Sequence, residues 1–213
     1  MQASRIFIVG SGVVGSATGE GFQGAGHEVT FIDISPARVQ ELAARGLDIR
    51  TEIDLSDEPG SFIFLTLPTP NEGHRYDLSA FRAGTAAVGR ALAGASARHT
   101  VVVRSTVPPG TTEGLVKTTL EQHSGMVADE GFGLASNPEF LRAVSAAEDF
   151  AHPWMTVIAG RDPQVVERIR ELLLPFGGEM RTFENPAEAE FIKSAHNIFN
   201  ATKISFWNEM WLV

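Results

Sequence analysis

The sequence contains no cysteine in its 213 residues. Disulfides, thiolate metal sites and a cysteine nucleophile are therefore excluded within this stretch. Basic residues are also scarce: 17 Lys and Arg against 26 Asp and Glu leave a formal net charge of −9 and a pI near 5.1. No block of Lys and Arg is present, which argues against a nucleic-acid surface or an anionic-membrane surface. The longest apolar runs stop at strand length, and the N-terminus lacks the charged start, apolar stretch and small-residue cleavage site of a signal peptide. The composition predicts a soluble cytoplasmic protein. There is no internal repeat, and the length suits one generous α/β domain or one domain plus part of another.

What the sequence does have begins at Ser4. Ile6 to Val9 form an apolar run suited to a strand buried on both faces, and Gly10, Gly12 and Gly15 follow at G-x-G-x-x-G spacing. Gly10 is expected to allow the tight turn, Gly12 to let a pyrophosphate approach the backbone, and Gly15 to let the following helix lie close on the sheet. Val29 to Ile32 make a second strand that ends on Asp33. A carboxylate there can accept both ribose hydroxyls of an adenosine and would repel a 2′-phosphate, so the predicted cofactor is NAD rather than NADP.

Strands and helices then alternate. Strands are predicted at 61–65, 100–103, 132–136, 155–159 and 179–183, and helices at 35–45, 78–92, 112–123 and 163–174. A helix N-cap is expected at Asn137, with Pro138 as the first helical residue. Residues 54–60 and 71–77 read as plain solvated loops. The order implies a doubly wound, mainly parallel α/β sheet of the Rossmann kind with right-handed crossovers.

Ligands bind such sheets outside the carboxyl ends of the strands. Four unusual loops fall there: GSGVVG, TLPTP, RSTVPPGTT and SNPEFLR. Thr106 could bond a nicotinamide ribose, a carboxamide or a water, or cap its own turn. Glu139 is expected in a first helical turn, where the macrodipole would suffice to explain it; it could also act as a general base. Arg142 suits either an anionic substrate or the surface. From Asn185 onward the chain is helical in composition, with Lys193, Asn197 and Asn200 on one face and Phe191, Ile192, Ala195, Ile198 and Phe199 suggesting a largely packed helix. Lys193 is either shielded, and able to polarise an alcohol, or snorkelling to solvent. His196 reads as structural, because no other metal-ligand type lies at a useful spacing. Phe206, Trp207, Met210, Trp211, Leu212 and Val213 leave apolar faces uncovered, from which we expect either a cut inside a long inter-domain helix or burial against a partner subunit.

GSGVVG with Asp33, PTP at 68–70, STVPPG at 105–110, NPEFLR at 137–142, and the helix carrying Lys193, Asn197 and KISFWNE at 203–209 together resemble the UDP-glucose/GDP-mannose dehydrogenase family across essentially the whole chain. The resemblance implies an NAD-binding Rossmann domain over 1–185 and, over 186–213, the start of a central helix that links two domains and builds a homodimer. It implies a cytoplasmic enzyme that oxidises the C6 alcohol of a nucleotide sugar to a carboxylate, a polysaccharide precursor, with two NAD and a covalent thiohemiacetal and thioester on a cysteine. By the family pattern Gly10, Gly12, Val13, Val14, Gly15, Asp33 and Arg38 bind the adenosine and pyrophosphate side of NAD. Pro68, Thr69, Ser105, Thr106 and Glu139 line the rest of the cofactor site. Thr106 and Glu139 handle the hydrolytic water, Lys193 and Asn197 hold the oxyanion, and Glu139, Phe140, Leu141 and Arg142 border the substrate. Val13 replaces the more frequent aromatic residue, and the catalytic cysteine has no counterpart in these 213 residues, so this chain alone is not expected to turn over. Two other readings fit the residues: a β-hydroxyacid dehydrogenase, which needs one hydride transfer and no thiol, and an NAD-binding remnant without catalysis.

Overall fold

The computed structural model describes residues 3–73 and 75–212; Val213 of the expected apolar end lies outside them. The glycine fingerprint joins β1 (Arg5–Val9) to α1 (Val13–Gly24), which returns to β2 (Glu28–Ile32); α2 (Pro36–Ala44) leads on to the short β3 (Ile49–Arg50). Next come β4 (Phe62–Leu65), a small pair β5 (Asn71–Glu72) and β6 (Arg75–Tyr76), α3 (Ser79–Ala93) and β7 (Thr100–Val103). A π-helical turn at Thr112–Val116 runs into α4 (Lys117–Ser124), then β8 (Gly133–Ser136), α5 (Ala146–Ala151), β9 (Met155–Gly160), α6 (Pro163–Leu173), β10 (Glu179–Phe183) and α7 (Pro186–Trp211).

Eight strands form one sheet in the order β10-β9-β8-β7-β4-β1-β2-β3, parallel throughout except where β9 meets β8. The central strands FIFL and TVVV are buried along their whole length, as expected of strands covered on both faces. Side chains alternate between two cores. Phe7, Val9, Ile63 and Val101 pack under Phe81 and Val88 of α3 and Leu120 of α4. Ile6, Ile8, Phe64 and Val102 pack against Phe22 of α1, Leu42 of α2 and Ile169 of α6.

Three local expectations fail. Residues 71–77 are not a plain loop, since β5 and β6 pair antiparallel there. Asn137 and Pro138 do not start a helix; residues 137–142 have no regular secondary structure. The Asn137 side chain is committed to tertiary bonds, accepting from Arg104 Nη1 at 2.6 Å and donating to the Val157 carbonyl at 2.8 Å, so it is not available to cap. By contrast Asp162 and Asn185 do cap their helices, each followed by proline. Finally α7 is not largely packed: Pro186, Ala189, Glu190 and Lys193 are buried, whereas Phe191, Ala195, Ile198 and Phe199 are exposed. Its first two turns lie on the sheet, His196 still packs on Phe140 and Trp154, and residues 201–212 are exposed throughout. No helix among the described residues is long and apolar enough to cross a membrane.

Candidate functional site: a dinucleotide cleft and a neighbouring cavity

Strand order reverses around β1, with β2 on one side and β4 on the other. The four unusual loops come after β1, β4, β7 and β8, and so stand side by side along the carboxyl edge. A cleft of about 1080 Å³ opens there, lined among others by Gly10, Gly12, Val13, Val14, Asp33, Arg38, Pro68, Thr69, Ser105, Thr106 and Glu139.

Each glycine has a distinct role. Gly10 has φ +95°, and a Cβ there would fall 2.7 Å from the Thr66 carbonyl oxygen. Thr66 fixes the turn by donating to the Gly10 carbonyl at 2.6 Å. At Gly15 a Cβ would sit 2.0 Å from the Gly10 carbonyl oxygen, so α1 can approach β1 only without one. Gly12 differs: nothing lies within 4 Å of its would-be Cβ. It is the N-cap of α1, and no side chain caps that helix. The first-turn N–H groups are therefore free to meet an anion arriving over Gly12.

Asp33 ends β2 as expected, with a modification. Its Oδ2 accepts from the Ser11 amide at 2.8 Å and the Ser11 hydroxyl at 2.6 Å, and its Oδ1 accepts from the Ser35 amide at 2.9 Å. Of about four acceptor sites on a carboxylate, one on Oδ1 is left. It can take one ribose hydroxyl, not the two expected, unless Ser11 turns away. Burial works against the charge, but the bonds from Ser11 and Ser35, with Arg38 close by, outweigh it and hold the Asp33 carboxyl below its ordinary range. Arg38 binds the Ser11 carbonyl and, at 2.8 Å, the Ser16 hydroxyl, which ties α2 to the glycine turn. Ser11 and Thr66 were not singled out from the sequence; the serine inside the fingerprint gave the only hint.

At the other end of the cleft the β4 and β7 loops are bonded to each other. Thr69 donates to the Thr106 carbonyl at 2.7 Å and Ser105 to the Leu67 carbonyl at 2.6 Å. Glu139 comes close from the β8 loop, not from a helix: its Oε2 accepts from the Leu141 amide at 2.6 Å, and its Oε1 stands 3.1 Å from Lys193 Nζ. Lys193 is 4% exposed, so it is shielded and does not snorkel. One turn earlier Glu190 reaches across to the β7 loop, where it accepts from Gly110 N at 2.5 Å, Thr112 N at 2.8 Å and Thr112 Oγ1 at 2.6 Å. Burial raises its pKa against the pull of those bonds. Glu190 and Lys193, three apart on α7, thus pin the Thr106 loop and the Glu139 loop to one helix. The E-x-x-K spacing is the signal that could have found Glu190.

Phe140, Leu141 and Arg142 do not line this cleft. They border a second cavity of about 330 Å³ on the far side of Glu139, where Arg142 pairs with Asp149 at 2.6 Å. Asn197 is exposed and lines neither space. His196 stacks edge-on against Phe140 and bonds Asn200 at 3.1 Å.

The geometry agrees with what the sequence is similar to. Residues 43–177 match the profile of the UDP-glucose/GDP-mannose dehydrogenase family, NAD binding domain; a ketopantoate reductase profile matches only residues 6–67, from the fingerprint unit to the start of the β4 loop. The chain is 35% identical to GDP-mannose 6-dehydrogenase of Azotobacter vinelandii over 97% of its own length and 52% of that protein's. It is 31% identical to UDP-glucose 6-dehydrogenase of Haloferax volcanii over 97% and 53%. A crystal structure of GDP-mannose dehydrogenase from Pseudomonas aeruginosa, in a ternary complex, superposes with a TM-score of 0.86 at 31% identity, over 96% of this chain and 52% of that one. The chain therefore spans about half the length of the relatives it matches. With the fingerprint, the cleft and a profile match over most of its length in agreement, the chain belongs to the UDP-glucose/GDP-mannose dehydrogenase family and carries that family's NAD binding domain.

Proposed function

We propose that the cleft holds NAD with its adenosine ribose on Asp33, its pyrophosphate over Gly12 at the start of α1, and its nicotinamide end toward Thr69, Ser105, Thr106 and Glu139. The observation that carries this is Gly12, a helix N-cap with open space where a side chain would be, between an ionised Asp33 and the paired loops. When bound, the nicotinamide ring accepts a hydride from the carbon being oxidised. The residues of this chain do the rest. Lys193 is buried behind Glu139 and lines neither space; in this reading its ammonium meets an alcohol oxygen as the proton leaves only once substrate displaces part of the Glu139 contact, while Glu139, on the cleft wall, is within reach to move a proton on a water. Glu190 keeps both loops in register with Lys193.

The substrate in this reading is a nucleotide sugar whose C6 alcohol is oxidised to the carboxylate, a precursor of polysaccharide, in the cytoplasm. The two relatives named as 6-dehydrogenases support the class and leave the choice between a UDP- and a GDP-sugar open. The second oxidation needs a thiol, and these 213 residues contain none. We read 186–213 as the start of a linking helix that also forms a homodimer, and Asn197 as a residue that meets substrate only in that assembly. Gly12→Ala tests the cofactor half. The methyl group meets nothing in the protein, so the melting temperature should stay within a degree or so, while calorimetric affinity for NAD should fall at least about tenfold as it displaces the pyrophosphate. Unchanged affinity would overturn the placement.

A further inference from the structure

The second cavity contains a cation that the proposed cofactor chemistry does not use. Arg104, which directly follows β7, is 5% exposed and lines this cavity. Its Nε donates to Thr18 Oγ1 at 2.9 Å and its Nη1 to Asn137 Oδ1 at 2.6 Å, both neutral acceptors; among the described residues Nη2 has none. The guanidinium also lies over the Phe150 ring at 5.3 Å. The two acids on the cavity wall are already engaged, Asp149 with Arg142 at 2.6 Å and Glu139 with Lys193 at 3.1 Å. Burial pushes the pKa of Arg104 down to about 10, partly offset by the charge of Glu139, so the group remains a cation at neutral pH. A buried cation whose hydrogen bonds go only to neutral acceptors, and whose one nearby acid is shared with Lys193, is costly, and an anion that reached it would be held strongly.

A second polar atom in the same wall is also unmatched: His196 Nδ1 is buried with no partner. The other walls are aromatic, with Phe140, Phe150, Trp154 and Phe176. An apolar space with a few convergent polar groups is the ordinary form of a small-ligand site. We propose that this cavity is an anion site, separate from the dinucleotide cleft, in which Arg104 Nη2 receives a carboxylate or phosphoryl oxygen and the aromatic walls receive an apolar body attached to it. It goes beyond the cofactor reading and shares with it only Glu139, through which occupancy of one space can be felt in the other.

The test follows the Arg104 Nε–H and Trp154 indole N–H signals in ¹H–¹⁵N spectra of the NAD-saturated chain. Sodium benzoate and inorganic phosphate are added separately at a constant ionic strength of about 0.1 M, where screening leaves mainly close contacts. A saturable shift at both positions is expected, and the stronger of the two probes identifies the head group: benzoate for a carboxylate on an apolar body, phosphate for a phosphoryl group. Arg104→Lys keeps the charge but not the fork, and should weaken the response at Trp154 at least about tenfold. Arg45→Gln, which breaks a surface pair with Glu20 away from both spaces, should leave it within about twofold. Shifts that grow without saturating would overturn the site, and equal saturation in the wild type and Arg104→Lys would overturn Arg104 as its anchor. Repeating the titration without NAD separates this result from any failure of NAD itself to bind.

Discussion

Gly12 and Gly15 have opposite reasons for being glycine. Adding a methyl at Gly15 drives it into the Gly10 carbonyl oxygen, so Gly15→Ala should cost about 1–3 kcal/mol or more of stability, read as a lower melting temperature. The same change at Gly12 should be felt only by the cofactor. Asp33→Asn should weaken NAD by about 1.5–3 kcal/mol in calorimetry and narrow the preference over NADP, because it removes the charge that accepts one ribose hydroxyl and repels a 2′-phosphate. Most of this was legible in the sequence, since the fingerprint fixes backbone geometry by which residues lack side chains. The share of Asp33 already taken by Ser11 and Ser35 was not legible, because it depends on two turns meeting in space.

At the scale of elements, α7 is the one whose role changed most between sequence and structure. Its composition suggested a packed helix, yet its fully buried residues are confined to the first two turns, and those carry Glu190 and Lys193. Each pins a different loop. Lys193→Met would leave the Glu139 carboxylate buried and unpaired, with an expected loss of about 3–5 kcal/mol in chemical denaturation. Glu190→Ala would strip three hydrogen bonds from the start of the helix after β7, so hydrogen exchange at Gly110 and Thr112 should rise sharply while amides of β1 stay protected. Equal exchange at both would show that Glu190 does not hold that loop. The β8 loop was misread for a related reason. Asn137-Pro138 has the local chemistry of a helix start, and the tertiary bonds of Asn137 to Arg104 and Val157 override it. The central strands, by contrast, came from apolar runs that no tertiary contact had to supply, whereas the short β3, β5 and β6 carry no such run and were missed.

For the whole molecule, two buried histidines on the amino edge of the sheet set the response to acid. His27 Nδ1 accepts from Ser4 N at 3.1 Å before β1, and His99 Nδ1 from Ser61 N at 3.2 Å before β4. Burial lowers the pKa of both, with Glu58 opposing it at His99. The unfolded chain then binds more protons than the folded one near pH 6, so the stability they contribute is present above their unfolded pKa of about 6.5 and is lost as pH falls below it. Urea midpoints should drop between pH 7 and pH 5, and His27→Asn with His99→Asn should flatten that slope. Asp33 and Asp162, whose carboxyls are held below their ordinary range, contribute only to a later loss in stronger acid.

The fold, the cleft and the family converge on cofactor binding as the property this chain carries by itself. Calorimetric titration of the 213-residue chain with NAD and with NADP tests that most directly. One NAD per chain is expected, with NADP weaker by at least about tenfold through repulsion of the 2′-phosphate by Asp33. Equal binding of the two, or binding of neither, would contradict it.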